Sequence, residues 1–384
     1  MSPANKSKKI RVAVLYGGRS GEHEVSLRSA ASVVRYLDKT RFEIVPIGID
    51  KKGRWHINDI KQIPLDDSLV SLPIKTANSA LLSTSPNELI AAAEHKNASH
   101  DGFDVVFPVV HGTLCEDGTL QGLLELTDVA YVGAGVLGSS VAMDKDVSKR
   151  LIAAAGLNVP LFLAIKKGNW EQDAHYYKDL IAKQLNYPVF VKPANTGSSV
   201  GIHKVKNAKE LTAAIEDAFL YDTKILIEKA LNIREIELSV LENPKYGMPA
   251  LVSTPGEIVP THEFYSYEAK YLDENGAKLL IPAPLTSAQQ KQAQELARQV
   301  FELLECEGMA RVDLFLDKDN GEFYFNEMNT LPGFTSISMY PKLWEASGIE
   351  YSKLLTLLIE LSIARHQRKQ KLKREWAIAT VPAE

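Results

Sequence analysis

Cysteine is almost missing. Only Cys115 and Cys306 occur in 384 residues, far apart in the chain, which argues against a disulfide framework or a cysteine-built zinc site and suits a reducing compartment. Charge of one sign is not in excess either. Lys and Arg number 44 against 48 Asp and Glu, for a net charge of −4, so no global field draws the chain to nucleic acid. Long apolar runs are absent. LLTLLIELSIA carries a glutamate and is too short to span a bilayer. VAVLY, behind the basic MSPANKSKKI, is too short for a secretory signal. The expected compartment is therefore the cytoplasm, with neither membrane insertion nor nucleic-acid binding. Two nucleotide fingerprints are also lacking. There is no GK[ST] of a Walker A loop, and GGRSGEHEVS does not match G-x-G-x-x-G, which disfavours an oxidoreductase on the N-terminal segment. No internal repeat is visible.

What is present is ordinary globular material, 45% hydrophobic and 24% charged, over a length that predicts two or three domains. IRVAVLYGGRSGEHEVS reads as a buried strand, a glycine-rich turn and a helix from near Glu22. FEIVPIGID and DVVFPVVHG read as strands, and EDGTLQGLLELTD as a helix. This alternation predicts a parallel α/β domain over the first third. Residues 56 to 100 are polar and poorly patterned and are expected to form an insertion of no assigned role. A second α+β region over 140 to 240 holds the helix MDKDVSKRLIAAAG closed by Gly156, a strand–loop–strand around PANTGSSVG, the helix KELTAAIEDAFLYD, and the strands TKILIEKAL and REIELSVLE. A helix over 286 to 305, a hairpin and a terminal helix from about Tyr351 follow. The last runs into RHQRKQKLKRE, which reads as a solvated helix end or as a contact for an acidic partner.

The hairpin is the most informative stretch: RVDLFLDKDNGEFYFNEMNTLPGFTSIS, from Arg311 to Ser338. Asp319-Asn320-Gly321 reads as a three-residue loop with glycine in the left-handed position. That register sets Lys318 opposite Glu322, Asp317 opposite Phe323, Phe315 opposite Phe325, Asp313 opposite Glu327 and Arg311 opposite Asn329. Arg311, Asp313, Glu327 and Asn329 then form a square on one face. Two carboxylates and an amide oxygen suit a hard cation such as Mg²⁺, and the guanidinium suits a phosphate or an oxyanion. Phe315, Phe323 and Phe325 fall on the same face in this register and predict its burial. Buried carboxylates need a partner.

Other segments carry weaker chemistry, each beside a plain structural reading. VKPANTGSSVGIHKV offers Lys192 and a small-residue loop able to cradle phosphate, or a flexible hairpin loop. LIEKALNIREIE places Glu228 and Glu235 at the ends of successive strands, as a reader of adenine and ribose or as surface salt bridges. GGRSGEHEVS offers an anion site at a helix N-terminus, with Glu22 for an ammonium, which together suggest an amino-acid ligand, or is a plain strand-to-helix turn with a surface glutamate. HGTLCEDGTLQG sets His111 and Glu116 at a strand end where open α/β sheets bind ligands, and His111 reads equally as a structural histidine. Cys115 has no visible catalytic partner. THEFYSYEAKYLDENG reads as a lid with Lys270 and Tyr271 pointing inward, or as an exposed loop. NTLPGFTSIS offers the turn amides at Pro332-Gly333 and the hydroxyls of Ser336 and Ser338 to a carboxylate, or is a serine-rich turn.

In this order, GGRSGEHEVS, HGTLCEDGTLQG, MDK, VKPANTGSSVG, LIEKAL, EAKY, RVD and NEMNTLPGFTSIS resemble the D-alanine–D-alanine ligase family of the ATP-grasp superfamily, from about Ile10 to about Ile363. The resemblance implies a three-domain α/β ATP-grasp fold. Its parts are a Rossmann-like parallel-sheet substrate domain (1–133), a central ATP-grasp subdomain (134–230), a C-terminal subdomain with the metal and substrate site (231–365) and a basic tail (366–384). It implies ATP-dependent joining of two D-alanines through a D-alanyl phosphate, for peptidoglycan precursor synthesis, with Mg²⁺ or Mn²⁺, two ions, and room for a homodimer. Asp313, Glu327 and Asn329 match the metal ligands. Lys145, Lys192, Ser199, Glu228, Lys229, Ala230, Leu231, Glu235 and Lys270 match the nucleotide site, with the backbone of Ala230 and Leu231 toward adenine and Lys270 on the γ-phosphate. Glu22 would hold the first ammonium. Glu22, Ser198 and Tyr271 would position substrates and manage the amine proton, with His111 nearby. Arg311 and Gly333 would hold the oxyanion, and Ser338 the second carboxylate. Tyr271 favours a dipeptide over D-lactate; D-serine is the harder alternative. Cys115 departs from some relatives, which have glycine. A silent nucleotide-binding protein would lack a metal ligand or Arg311, and none is lost.

Overall fold

The computed structural model describes residues 8–63, 70–75, 79–82, 89–91, 102–260 and 277–374. The first sheet contains β1 (Ile10–Gly17), β2 (Phe42–Ile49), β3 (Trp55–Ile57), β4 (Ser79–Leu82), β5 (Leu89–Ala91), β6 (Val105–Val110) and β7 (Ala130–Tyr131), in the order β5-β4-β3-β2-β1-β6-β7. Strands β2, β1, β6 and β7 are parallel. All six residues of β6 are buried, which is why it reads as a continuous apolar run. The segment 56–100, expected to be an unpatterned insertion, contributes short antiparallel strands to one edge of this sheet. Strands of three or four residues are too short to display a hydrophobic period.

The second sheet, with β8 (Phe162–Lys166), β9 (Val189–Pro193), β10 (His203–Val205) and β11 (Lys224–Lys229), is antiparallel in the order β10-β9-β11-β8. The third runs β15-β14-β12-β16-β17, from β12 (Ile233–Leu241), β14 (Gly256–Pro260), β15 (Ala277–Leu280), β16 (Met309–Asp317) and β17 (Phe323–Asn329), with β13 (Leu251–Val252) paired to β12. Helix Ser287–Leu303 begins in a capping box between Thr286 and Gln289. It buries Ala293, Ala297 and Val300 with Ile236, Leu238 and Val312 of this sheet.

Three helices do not pack where chain order suggests. Val136–Met143 and Lys145–Ala154 precede the second sheet, yet Ala142 and Ile152 join the core of the third. The terminal helix Tyr351–Gln370 returns to the first sheet, where Leu354, Leu355, Leu358 and Ile359 pack with Val12, Val14 and Phe107. Its basic end is tied to the chain itself through Arg365, Arg368 and Lys369, while 370–374 are exposed, as a solvated helix end would be. Arg365 donates to the carbonyls of Tyr131 and Gly133, each at 2.7 Å. Lys369 pairs with Glu125 at 2.6 Å and Arg368 with Glu242 at 3.2 Å.

Candidate active site

The outer half of the hairpin has the expected pairing, Arg311 opposite Asn329 and Asp313 opposite Glu327. The inner half differs. The Asp317 N–H donates to the Glu322 carbonyl (3.0 Å), while the Lys318 N–H goes to Asn232 (2.8 Å). Residues 318 to 321 therefore form the loop, with Gly321 left-handed at φ +75°, and Phe315 faces Tyr324 rather than Phe325. A bulge at Asn326 removes the one-residue slip before Glu327. It also switches faces. Phe323 and Phe325 enter the hydrophobic core behind the sheet, and Phe315 alone of the three phenylalanines lines the cleft. Three phenyl rings on the ligand face, as the unbulged register requires, are thus corrected to one.

The third sheet extends the square into a row. Glu237 of β12 faces Asp313, which faces Glu327; Ser239 faces Arg311, which faces Asn329. Arg311 binds Asp313 in bidentate fashion, Nε to Oδ1 and Nη2 to Oδ2 at 2.7 Å each. Its Nε also lies 3.1 Å from Glu237 Oε2. Burial disfavours its charge, but Asp313 and Glu237 prevail and raise its pKa well above the ordinary value. Lys145 Nζ lies 3.4 Å from Glu327 Oε2 and donates to the Thr196 carbonyl at 2.8 Å. The Asn329 amide oxygen accepts from the Leu331 N–H (3.0 Å), which fixes the oxygen rather than the nitrogen at that end.

Between this row and the second sheet lies a cleft of about 1460 Å³, above the roughly 300–1,000 Å³ of an ordinary small-molecule pocket. Its far wall carries a second ionic cluster. Lys192 of β9 pairs with Glu228 Oε1 at 2.7 Å, and Lys149 with Oε2 at 2.9 Å. Lys149 is 0% and Glu228 1% exposed. Burial alone would raise the Glu228 pKa; the two lysine charges outweigh it and hold the carboxyl below the usual range. The Ala230 N–H donates to the Pro188 carbonyl (3.1 Å), so what Ala230 can present to a base is its own carbonyl.

At one end of the cleft, Glu22, His111 and Glu116 bring ligand-type atoms within 4.8 Å of one another. His111 Nδ1 lies 3.1 Å from the Leu331 carbonyl and 3.7 Å from Glu116 Oε1. Burial pulls its pKa down, but the Glu116 and Glu22 carboxylates prevail and raise it. The loop with Ser198 and Ser199 closes over this end with both residues left-handed, at φ +52° and +60°. Such conformations cost about 1–3 kcal/mol each and gather at ligand sites. A Cβ on Gly197 would lie 3.6 Å from Glu22 Oε1, so a longer side chain there would compete for the space beside that carboxylate. Ser338 is already engaged: its Oγ accepts from the Thr335 N–H at 3.0 Å. Phe334, between Gly333 and that turn, anchors the loop edge-on against Phe107 of the first sheet, ring centroids 5.6 Å apart.

The cleft lining collects Glu22, His111, Lys145, Lys192, Ser198, Ser199, Glu228, Lys229, Ala230, Leu231, Glu235, Arg311, Asp313, Glu327, Asn329, Gly333 and Ser338. Lys270 and Tyr271, the lid candidates, lie outside the described residues. Two residues escaped the sequence reading. Lys149 stands four residues after Lys145, on the buried stripe with Ile152, where a lysine needs a counter-charge. Glu237 stands two after Glu235 on the same strand face.

Residues 11–134 match the family model described as D-ala D-ala ligase N-terminus, and residues 151–360 the one described as D-ala D-ala ligase C-terminus. A D-alanine--D-alanine ligase A of Bradyrhizobium diazoefficiens is 52% identical, over 96% of this chain and 99% of that protein. The D-alanine-D-alanine ligase of Coxiella burnetii superposes with a TM-score of 0.79 at 36% identity, covering 95% of this chain and 97% of that one. A D-Ala:D-Ser ligase of Enterococcus faecalis gives 0.79 at 35% identity, over 92% and 100%.

Proposed function

The chain belongs to the D-alanine–D-alanine ligase family, and on that premise we propose how its cleft joins two D-alanines, using ATP and a divalent metal, for peptidoglycan precursor synthesis. The observation that carries the reading is the row of Arg311, Asp313, Glu327 and Asn329 facing a lysine-lined wall across one cleft. A carboxylate is a poor acyl donor. An oxygen of the first D-alanine's carboxylate attacks the γ-phosphorus of ATP, ADP leaves, and a D-alanyl phosphate forms. The uncharged amine of the second D-alanine then attacks the carbonyl carbon, and phosphate departs. The first step mostly needs positioning and charge neutralisation; the second needs donors at the developing oxyanion.

Lys145 and Lys192 hold phosphate oxygens, and Ser199 lends its loop. Glu228, with the backbone of Lys229, Ala230 and Leu231, reads the base; Glu235 takes the ribose; Lys270 completes the γ-phosphate site. Two carboxylates and an amide oxygen form an all-oxygen donor set that fits a hard cation, and we assign Asp313, Glu327 and Asn329 to Mg²⁺ or Mn²⁺, two ions. The metal supplies neutralisation of phosphate charge when bound. Glu22, near His111 and Glu116, holds the first ammonium. Arg311 and the Gly333 N–H face the oxyanion. Glu22, Ser198 and Tyr271 relay the amine proton, and Ser338, once its Thr335 contact is exchanged, binds the second carboxylate. Among the described residues no helix is long and apolar enough to cross a membrane. We place the enzyme in the cytoplasm, acting alone or as a homodimer, with residues 1–133, 134–230 and 231–365 as its working domains and 366–384 as a basic tail.

Phosphate release is measured with D-alanine, L-alanine, D-alanine plus D-lactate, and D-alanine plus D-serine. Release dependent on D-alanine, with the dipeptide identified by mass, is expected. A mixed product formed in preference would move the assignment to the D-serine or D-lactate ligases. Tyr271→Phe is expected to slow peptide formation about tenfold or more without lowering the melting temperature. An unchanged rate would remove Tyr271 from the mechanism.

A further inference from the structure

Glu237 is buried on β12 and lines the cleft as the third carboxylate of the row, beside Asp313. Nothing in the assigned reaction uses it. Its neighbour Arg311 occupies both oxygens of Asp313, at 2.7 Å each. A bidentate guanidinium takes one lone pair on each oxygen, and a divalent cation on the remaining pairs repels the guanidinium and draws on the same carboxylate charge, so a cation that takes Asp313 loosens its hold on Arg311. The guanidinium then needs another anion, because a buried charge left alone is costly. Glu327 belongs to the same cation set. Glu257 is held by Arg234 at 2.8 and 2.7 Å, and Glu228 by two lysines. Glu237 Oε2 already lies 3.1 Å from Arg311 Nε.

We propose that Glu237 is a positioning residue that takes over the Arg311 guanidinium when a divalent cation takes Asp313, so that cation entry and the aiming of Arg311 at the acyl centre are one coupled event. This rests on the roles given above to Asp313 and Arg311. It makes Glu237 a partner of the arginine and not a ligand of the metal.

The test is a double-mutant cycle read by Mn²⁺ binding in the presence of ADP, from the electron paramagnetic resonance signal of free Mn²⁺. Glu237→Gln is expected to weaken binding about tenfold, because Arg311 then has only Asp313 to hold. In an Arg311→Met background the same substitution is expected to change binding by less than about threefold. An equal loss in both backgrounds would make Glu237 a direct ligand and overturn the proposal, as would unchanged binding in Glu237→Gln. If Glu237→Gln does not fold, Glu237→Asp carries the same cycle: a loss that vanishes with Arg311→Met supports the proposal, and one that persists overturns it. A wild type that binds no Mn²⁺ with ADP would bring down the metal assignment itself. A failed cycle with normal wild-type binding would bring down only the role of Glu237.

Discussion

Two buried ionic clusters border the cleft, one built around two lysines and the other around three carboxylates. Lys149 and Lys192 both meet one carboxylate, Glu228. Glu237 and Asp313 both meet one guanidinium, Arg311, and Glu327 stands beside them, 3.4 Å from Lys145. A purely structural buried pair gains by closing its charge. The chemistry of each set indicates the ligand it suits: lysines suit phosphate, and a row of carboxylates with an amide oxygen suits a hard metal cation. The second difference is rigidity. Lys149 is enclosed and contacts the Phe325 carbonyl at 3.3 Å, whereas Arg311 is shared between two acids on adjacent strands and can be handed from one to the other.

The largest expected effect comes from the negative row. Glu327→Gln should keep the fold and lower D-alanine-dependent phosphate release by more than about 100-fold, since the metal loses a charged ligand. Wild-type turnover would sink the metal assignment. Next is the positive cluster. Lys149→Met leaves a buried glutamate with one cation and should cost about 3 kcal/mol of stability in urea unfolding. An unchanged unfolding midpoint would show that Lys149 does not support Glu228.

The smallest effect is one of pH. The Glu228 carboxyl is held below the ordinary glutamate value of 4.5, so its ionised form stabilises the fold. That contribution is fully present above about pH 4.5 and is lost as pH falls through the lower folded value. The wild-type unfolding midpoint should therefore fall more steeply than that of Glu228→Gln as pH drops below 4.5. Parallel curves would mean that the two lysines do not depress Glu228.

Much of this contrast was legible in the sequence. Period-two alternation alone puts Asp313, Glu327 and Asn329 together, and the ends of β9 and β11 mark Lys192 and Glu228. The inner hairpin was misread because a bulge has no single-residue signature. The conflict was nonetheless visible in FYFNEMN. Strict alternation puts Phe323 and Phe325 on the same face as Glu327 and Asn329, core rings beside a carboxylate and an amide, and an extra residue at Asn326 resolves it. Lys149 and Glu237 were passed over because each stood next to a better-known residue with the same periodicity. The edge strands within 56–100 and the return of the terminal helix to the first sheet depend on long-range packing, which local patterns do not encode.

The central claim is that the first D-alanine is activated as an acyl phosphate in this cleft. The most direct measurement uses D-alanine labelled with ¹⁸O in its carboxylate, together with ATP and Mg²⁺, and analyses the released nucleotide and phosphate by mass. Attack on the γ-phosphorus predicts ADP, with one labelled oxygen carried into inorganic phosphate. Label in AMP, or dipeptide formed with unlabelled phosphate, would contradict it.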